Sequence, residues 1–147
     1  IFEQQMTQVD DGIDAVLAAN DTLGNAAITV LRRLGLNGTV PVTGQDASVQ
    51  GLQNILTGDQ CMTVYKPVRQ EAEAAAELAI ALARGEQPET SQSITDPETG
   101  QEVQAVLLEP QAIYQDNVKD VVDDGYVSVE ELCVDEFAAI CAEAGIS

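Results

Sequence analysis

The sequence predicts an α/β fold: a parallel sheet with crossover helices, then a β-hairpin and a C-terminal helix. Short aliphatic runs alternate with stretches of helical apolar spacing, the pattern of strand–crossover–strand units. The chain is 45% hydrophobic but only 3% aromatic, with no Trp, so its core must be built from Ala, Val, Leu and Ile. Each candidate strand also ends in a polar loop residue, Asn20, Asp46 or Lys66. In open α/β sheets the carboxyl ends of the strands are where ligands bind.

Taken in order, residues 3–12 read as the end of an amphipathic helix that stops at Asp10-Asp11-Gly12. The apolar run Ile13–Ala19 has the length and flanks of a buried parallel strand. Asp21 or Thr22 is then expected to cap a helix carrying Leu23, Ala26, Ala27, Val30, Leu31 and Leu34, closed by Gly35. Thr39–Gly44 is a second strand and Gln45–Ser48 a loop. Val49, Leu52, Ile55 and Leu56 mark a second helix, ended by Gly58. The third strand, Cys61–Tyr65, leads through Lys66-Pro67 into a long Ala/Glu helix over 68–84. Beyond Gly85 the pattern changes. Residues 91–95 and 101–108 flank Asp-Pro-Glu-Thr-Gly, whose Pro and Gly suit a hairpin turn. A short helix is expected within 111–124, and a last one over about 136–144 carries Phe137, Ile140, Cys141 and Ala144 on one side.

Charge narrows the function. Twenty-five acidic residues stand against six basic ones, a net charge of −19, which repels nucleic acid and anionic lipid. Nucleic acid is therefore not expected as a partner. The absence of His removes the usual general base and most transition-metal sites. No phosphate-cradling glycine motif follows a strand. Asp116, Asp120, Asp123 and Asp124 lack the spacing of a calcium loop and read as a solvated helix face. Neither catalysis, a metal nor a cofactor is expected. No run approaches the ~20 apolar residues of a membrane span. Ile1 stands where a natural start would have Met, so the start is expected upstream.

Three stretches carry a specific likeness: Val16-Leu17-Ala18-Ala19-Asn20-Asp21, Val42-Thr43-Gly44-Gln45-Asp46-Ala47 and Met62-Thr63-Val64-Tyr65-Lys66-Pro67. With the intervening Leu31–Leu36 and Gly51–Ile55, the chain resembles the D-xylose-type periplasmic sugar-binding proteins of ABC transporters. The likeness is continuous over about residues 10–85 and looser from there to Ile146. It implies a two-lobed, extracytoplasmic protein about twice this length, either periplasmic or a cell-surface lipoprotein. Such a protein holds a monosaccharide, a xylose-like pentose or a hexose, between its lobes for an ABC transporter permease. Residues 1–65 would form part of the C-terminal lobe. Residues 66–108 would supply a hinge, long helix and hairpin packed on the missing N-terminal lobe, and 109–147 a return segment with the final helix. The effector domain of a LacI-type repressor shares the lobed fold, but the acidic surface and the absence of DNA-binding helices count against it.

In that family the Asn, Asp and Lys at the matching positions hydrogen-bond the sugar, which points to Asn20, Asp46 and Lys66. The chemistry suits a polyol. An ionised Asp46 accepts from two hydroxyls, Asn20 offers a donor and an acceptor on one plane, and Lys66 donates. The same residues also fit plainer roles, Asn20 and Asp46 as helix caps or turn residues and Lys66 as an exposed loop lysine. Asp21 and Gln45 are second-tier candidates, supporting or capping. An exported protein permits a disulfide, and Cys133–Cys141 is the expected pair, with Cys61 free inside the sheet. In one helix eight residues rise about 12 Å, too far for a bridge, so the helix must begin after Cys133, with Asp135 as its N-cap. Two separate buried thiols are the alternative.

Overall fold

The computed structural model describes residues 1–9, 12–90 and 92–147, so the expected stop at Asp10-Asp11 and the Ser91 end of the hairpin lie outside the described residues. In chain order the elements are α1 (Phe2–Met6), α2 (Asp21–Leu34), α3 (Val49–Leu56), β1 (Thr63–Tyr65) and α4 (Val68–Ala83). They continue with β2 (Gln92–Thr95), β3 (Glu102–Ala105), β4 (Gln111–Ile113), α5 (Lys119–Asp123), α6 (Val129–Leu132) and α7 (Phe137–Glu143). The chain divides into two compact units. The larger comprises Ile1–Tyr65 with Gln111–Ser147, and the smaller Lys66–Pro110.

The larger unit has a narrow sheet. Val16 and Val42 form a parallel bridge, with the Val16 amide donating to Pro41 O and the Thr43 amide to Val16 O. Gly44 O accepts from the Val64 amide, and Val64 O from the Asp46 amide, so the third segment runs parallel to the second. The order and direction match the expected βα units, but the two leading segments make only this sparse ladder, not regular strands. Pro41 has no amide hydrogen to donate, which interrupts the pairing. On its far side β1 pairs antiparallel with β4, setting Thr63 against Ile113 and Tyr65 against Gln111. Gln111–Ile113 is thus a strand, with Ile113 alone of the three buried, and the short helix expected within 111–124 is confined to α5.

Two apolar clusters flank this sheet. Ile28 and Leu31 of α2 pack with Val40 and Val42. Leu52, Ile55 and Leu56 of α3 pack with Tyr65, Ile113, Val118, Val121, Leu132 and Cys141. Gly35 closes α2 in the left-handed conformation (φ 67°), its amide bonding to carbonyls of the last turn. The α2–α3 contact also carries a polar network. Arg32 donates to Asp59 at 2.8 Å and to Asn54 at 2.9 Å, and Asn54 donates to Asn25 at 2.6 Å.

Cys133 and Cys141 are bonded, with Cα atoms 5.8 Å apart. The helix does begin beyond Cys133, but Asp135 is not its N-cap. Asp135 takes a left-handed φ of 47°, and the turn closes through the Phe137 amide on Val134 O. Glu136 then occupies the N-cap without a side-chain bond. Cys61 is free and exposed rather than inside the sheet. Closing so short a loop removes about 2.5 kcal/mol of denatured-state entropy. Cys133→Ser with Cys141→Ser is therefore expected to lower the unfolding free energy by about that amount in urea titration. An unchanged midpoint would show that the bond contributes nothing.

The smaller unit holds α4 and the β2–β3 hairpin, whose register sets Gln92 against Ala105 and Thr95 against Glu102. Its turn is tied by Asp96, which accepts from the Glu98 amide and the Thr99 hydroxyl; the Thr99 bond foremost holds this carboxyl below its usual range. No residue of α4 is buried, and Val68, Ile80, Leu82, Ile94 and Val103 are all exposed.

Candidate functional site

The site grows from the way α2 begins. Asn20, in extended conformation, is the N-cap, and its Oδ1 accepts from the Leu23 amide at 3.0 Å. Neither Asp21 nor Thr22 caps the helix, contrary to expectation. Capping consumes only part of the Asn20 amide, whose NH₂ group keeps its donor capacity.

Asp21 turns inward instead and is 1% exposed. Its Oδ1 accepts from Gln60 Nε2 at 2.9 Å and from the Thr63 hydroxyl at 2.8 Å. Its Oδ2 accepts from the Ser48 amide at 2.7 Å, and its own amide donates to Gln45 O. One carboxylate thereby joins the start of α2, the loop before α3 and the start of β1. Gly44 and Gly51 make room for it, since a Cβ built on either would overlap the carboxylate. A buried charge with three donors is compensated; with one removed it would be costly.

Loop 45–48 carries the sharpest local feature. Asp46 and Ala47 both have positive φ, 96° and 48°, although neither is glycine. Such conformations cost of order 1–3 kcal/mol each and persist only where surroundings over-determine them. Here four bonds do so. The Asp46 amide donates to Val64 O, the Ala47 amide to Thr63 Oγ1 at 3.2 Å and the Ser48 amide to Asp21, while Asp46 O accepts from the Tyr126 hydroxyl at 3.2 Å. Asp46, half-buried, thereby sits at the carboxyl end of the sheet, one residue from the bond between the Asp21 amide and Gln45 O that ties this loop to the start of α2. Gln45 is held alongside through its carbonyl.

Beneath this loop Tyr65, 4% exposed, donates its hydroxyl to Asp124, and its ring lies 5.1 Å from that of Tyr126. Burial, reinforced by the Asp124 bond, pushes the Tyr65 phenol up to about 12. Asp124, Asp120 and Asp123 therefore do more than face solvent. Asp124 anchors Tyr65, Asp120 accepts from Gln111, and Asp123 pairs with Lys119. Lys66 directly follows Tyr65 and is the first residue of the smaller unit, with its carbonyl accepting from the Val68 amide at 2.8 Å. The structure thus brings Asn20, Asp21, Gln45 and Asp46 together at one sheet end and sets Lys66 next along the chain from β1. Sequence reasoning missed Thr63, Gln60 and Tyr126. The first two belong to the quoted third stretch or its approach, whereas nothing local marks Tyr126.

No cluster of three metal-ligating side chains occurs among the described residues, and no helix among them is long and apolar enough to cross a membrane.

Residues 1–87 match the family described as periplasmic binding protein domain. The D-xylose-binding periplasmic protein of Escherichia coli is 38% identical over 133 residues, which covers 90% of this chain and 40% of that protein. Its Haemophilus influenzae counterpart is 36% identical with the same coverage. Among solved structures, a carbohydrate transporter solute binding protein of Chloroflexus aurantiacus, in complex with D-glucose, superimposes with a TM-score of 0.75 at 29% identity. It is covered to 39%, and this chain to 88%. An ABC transporter solute binding protein of Clostridium phytofermentans gives a TM-score of 0.74 at 23% identity, covering 89% of this chain and 42% of that one, a likeness of fold. The chain spans about two fifths of the length of these relatives, and it belongs to the periplasmic binding protein domain family.

Proposed function

We propose that this chain supplies one face of a monosaccharide site in the substrate-binding component of an ABC sugar importer, and that it performs no catalysis. The observation that carries the reading is the strained Asp46–Ala47 turn at the carboxyl end of the sheet, tied to the start of α2 by the Asp21 amide on Gln45 O. An aspartate on a loop whose backbone is held by four bonds presents an acceptor for adjacent hydroxyls, and pre-organisation of this kind saves ordering entropy on binding. Asn20 contributes its amide donors, and Lys66 is the third ligand group. The likeness to relatives named for D-xylose supports a pentose or hexose as ligand.

The same reading assigns the rest of the molecule. Residues 66–108 pack on a first lobe, which the exposed apolar side chains of α4 and the hairpin support. The chain passes between units at Tyr65–Lys66 and Pro110–Gln111, and Tyr65 and Gln111 are paired neighbours in the ladder. Two adjacent crossings make a natural hinge. The protein works outside the cytoplasm, in the periplasm or as a surface lipoprotein, and hands its sugar to a membrane permease.

Calorimetric titration tests this directly. The full-length protein is expected to bind one of D-xylose, D-glucose, L-arabinose or D-ribose tightly. The isolated 147 residues are expected to bind the same sugar weakly or not at all, because a ligand wet on one face leaves its hydrogen bonds competing with water. Micromolar binding by the isolated chain would sink the two-face picture, and no sugar binding by the full-length protein would sink the reading itself.

A further inference from the structure

We propose that Asp21 is a positioning residue for the sugar site: its buried carboxylate sets the Asp46–Ala47 turn, and so the aim of Asp46, through the Ser48 amide and the Thr63 hydroxyl. This rests on the reading of Asp46 as a sugar ligand. The Asp21 side chain lies within the protein, is fully buried and spends its acceptors on three internal donors. What it orders is the loop.

The direction of each hydrogen bond makes the case. Thr63 has one hydroxyl proton, and Asp21 Oδ1 takes it at 2.8 Å. The Thr63 oxygen is thereby left facing the Ala47 amide as a pure acceptor, at 3.2 Å. On the other carboxylate oxygen the Ser48 amide is held at 2.7 Å. The two amides that follow Asp46 are therefore both fixed by Asp21, one directly and one through Thr63. These are two of the four bonds that hold Ala47 at φ 48° and Asp46 at φ 96°, the other two being the Asp46 amide on Val64 O and the Tyr126 hydroxyl on Asp46 O. Gln60 adds a third donor. Its Oε1 is buried without a partner, whereas its NH₂ serves both Asp21 and Met62 O, so the amide is oriented by the carboxylate.

An uncharged isostere reverses one of these bonds whichever way it sits. In Asp21→Asn the new NH₂ faces either the Ser48 amide, donor against donor, or Gln60 and Thr63, where it opposes the Gln60 NH₂ and makes the Thr63 hydroxyl give up its bond to residue 21. Either way the donor set around residue 21 is disturbed while the packing volume is kept.

The test uses the full-length protein and D-xylose. Asp21→Asn is expected to weaken affinity at least tenfold, and Thr63→Val about fivefold or more, with faster hydrogen exchange at the Ala47 amide in both. Thr63→Ser, which keeps the hydroxyl, is expected to bind as the parent does. A double-mutant cycle adds a readout that general destabilisation would not move. In an Asp46→Ala background, Asp21→Asn is expected to cause little further loss, because the group it aims is gone. Wild-type affinity in both Asp21→Asn and Thr63→Val, with Asp46→Ala still defective, would overturn the positioning role and leave the sugar site standing. Unchanged affinity in Asp46→Ala would instead overturn the site. Should Asp21→Asn fail to fold, the Thr63→Val and Thr63→Ser pair decides alone, equal affinity in the two ruling the relay out.

Discussion

Asp46→Ala in the full-length protein is expected to cut affinity for the best sugar more than about a hundredfold. Losing two charge-assisted bonds from a dry cleft costs roughly 3 kcal/mol. Part of that loss is conformational, since alanine tolerates a φ of 96° less well than aspartate does. Asp46→Asn separates the contributions. Asparagine keeps the shape and the tolerance for positive φ but gives up the charge, so about a tenfold loss is expected. Calorimetry with D-xylose and D-glucose measures both, and near-parental affinity in Asp46→Ala would end the assignment.

Gly51→Ala is expected to destabilise the larger unit by about 3 kcal/mol or more, against the sign that helix propensity alone predicts. Gly51 lies inside α3 with ordinary helical geometry, where alanine normally gains nearly 1 kcal/mol. A Cβ there would overlap the carboxylate of Asp21. That group is pinned by Gln60, Thr63 and Ser48 and has no room to retreat. Overpacking costs typically 1–3 kcal/mol, and displacing a buried charge from its donors adds to it. Urea unfolding of the Gly51→Ala and Asp21→Asn/Gly51→Ala variants reads the effect. A stabilised Gly51→Ala would show that the carboxylate can move.

The strand–helix alternation was legible because its signals are local: the helical spacing of Leu31 and Leu34, the stop at Gly35 and the aliphatic run before Asn20. What it could not convey was how thin the ladder would be, since Pro41 withdraws a donor only at the pairing stage. The site was legible as polar residues at strand ends, and its internal roles were not. Asn20 and Asp21 are both good capping residues, and the choice between them is made far away. Asp21 is drawn inward by Ser48, Gln60 and Thr63, which are 27, 39 and 42 residues distant. Asn20 is left to cap. Tyr126 reaches Asp46 from 80 residues downstream, beyond any local pattern. Asp135 shows the reverse case, a residue with good capping chemistry that the return of the chain to Cys141 places in a left-handed turn.

The larger unit is assembled from two stretches, 1–65 and 111–147, and this discontinuity governs when it can fold. The apolar face of α3 is closed by Ile113, Val118, Val121, Leu132, Cys141 and Ile146, all from the second stretch. A chain that emerges N-terminus first, from a ribosome or through a membrane pore, must therefore hold Leu52, Ile55 and Tyr65 uncovered until its last helix arrives. At ~5–20 residues per second that interval is on the order of ten seconds. Throughout it the segment is open to chaperones and proteases, and Cys133 has no partner until Cys141 follows. Truncation anywhere before α7 would make that vulnerable interval permanent.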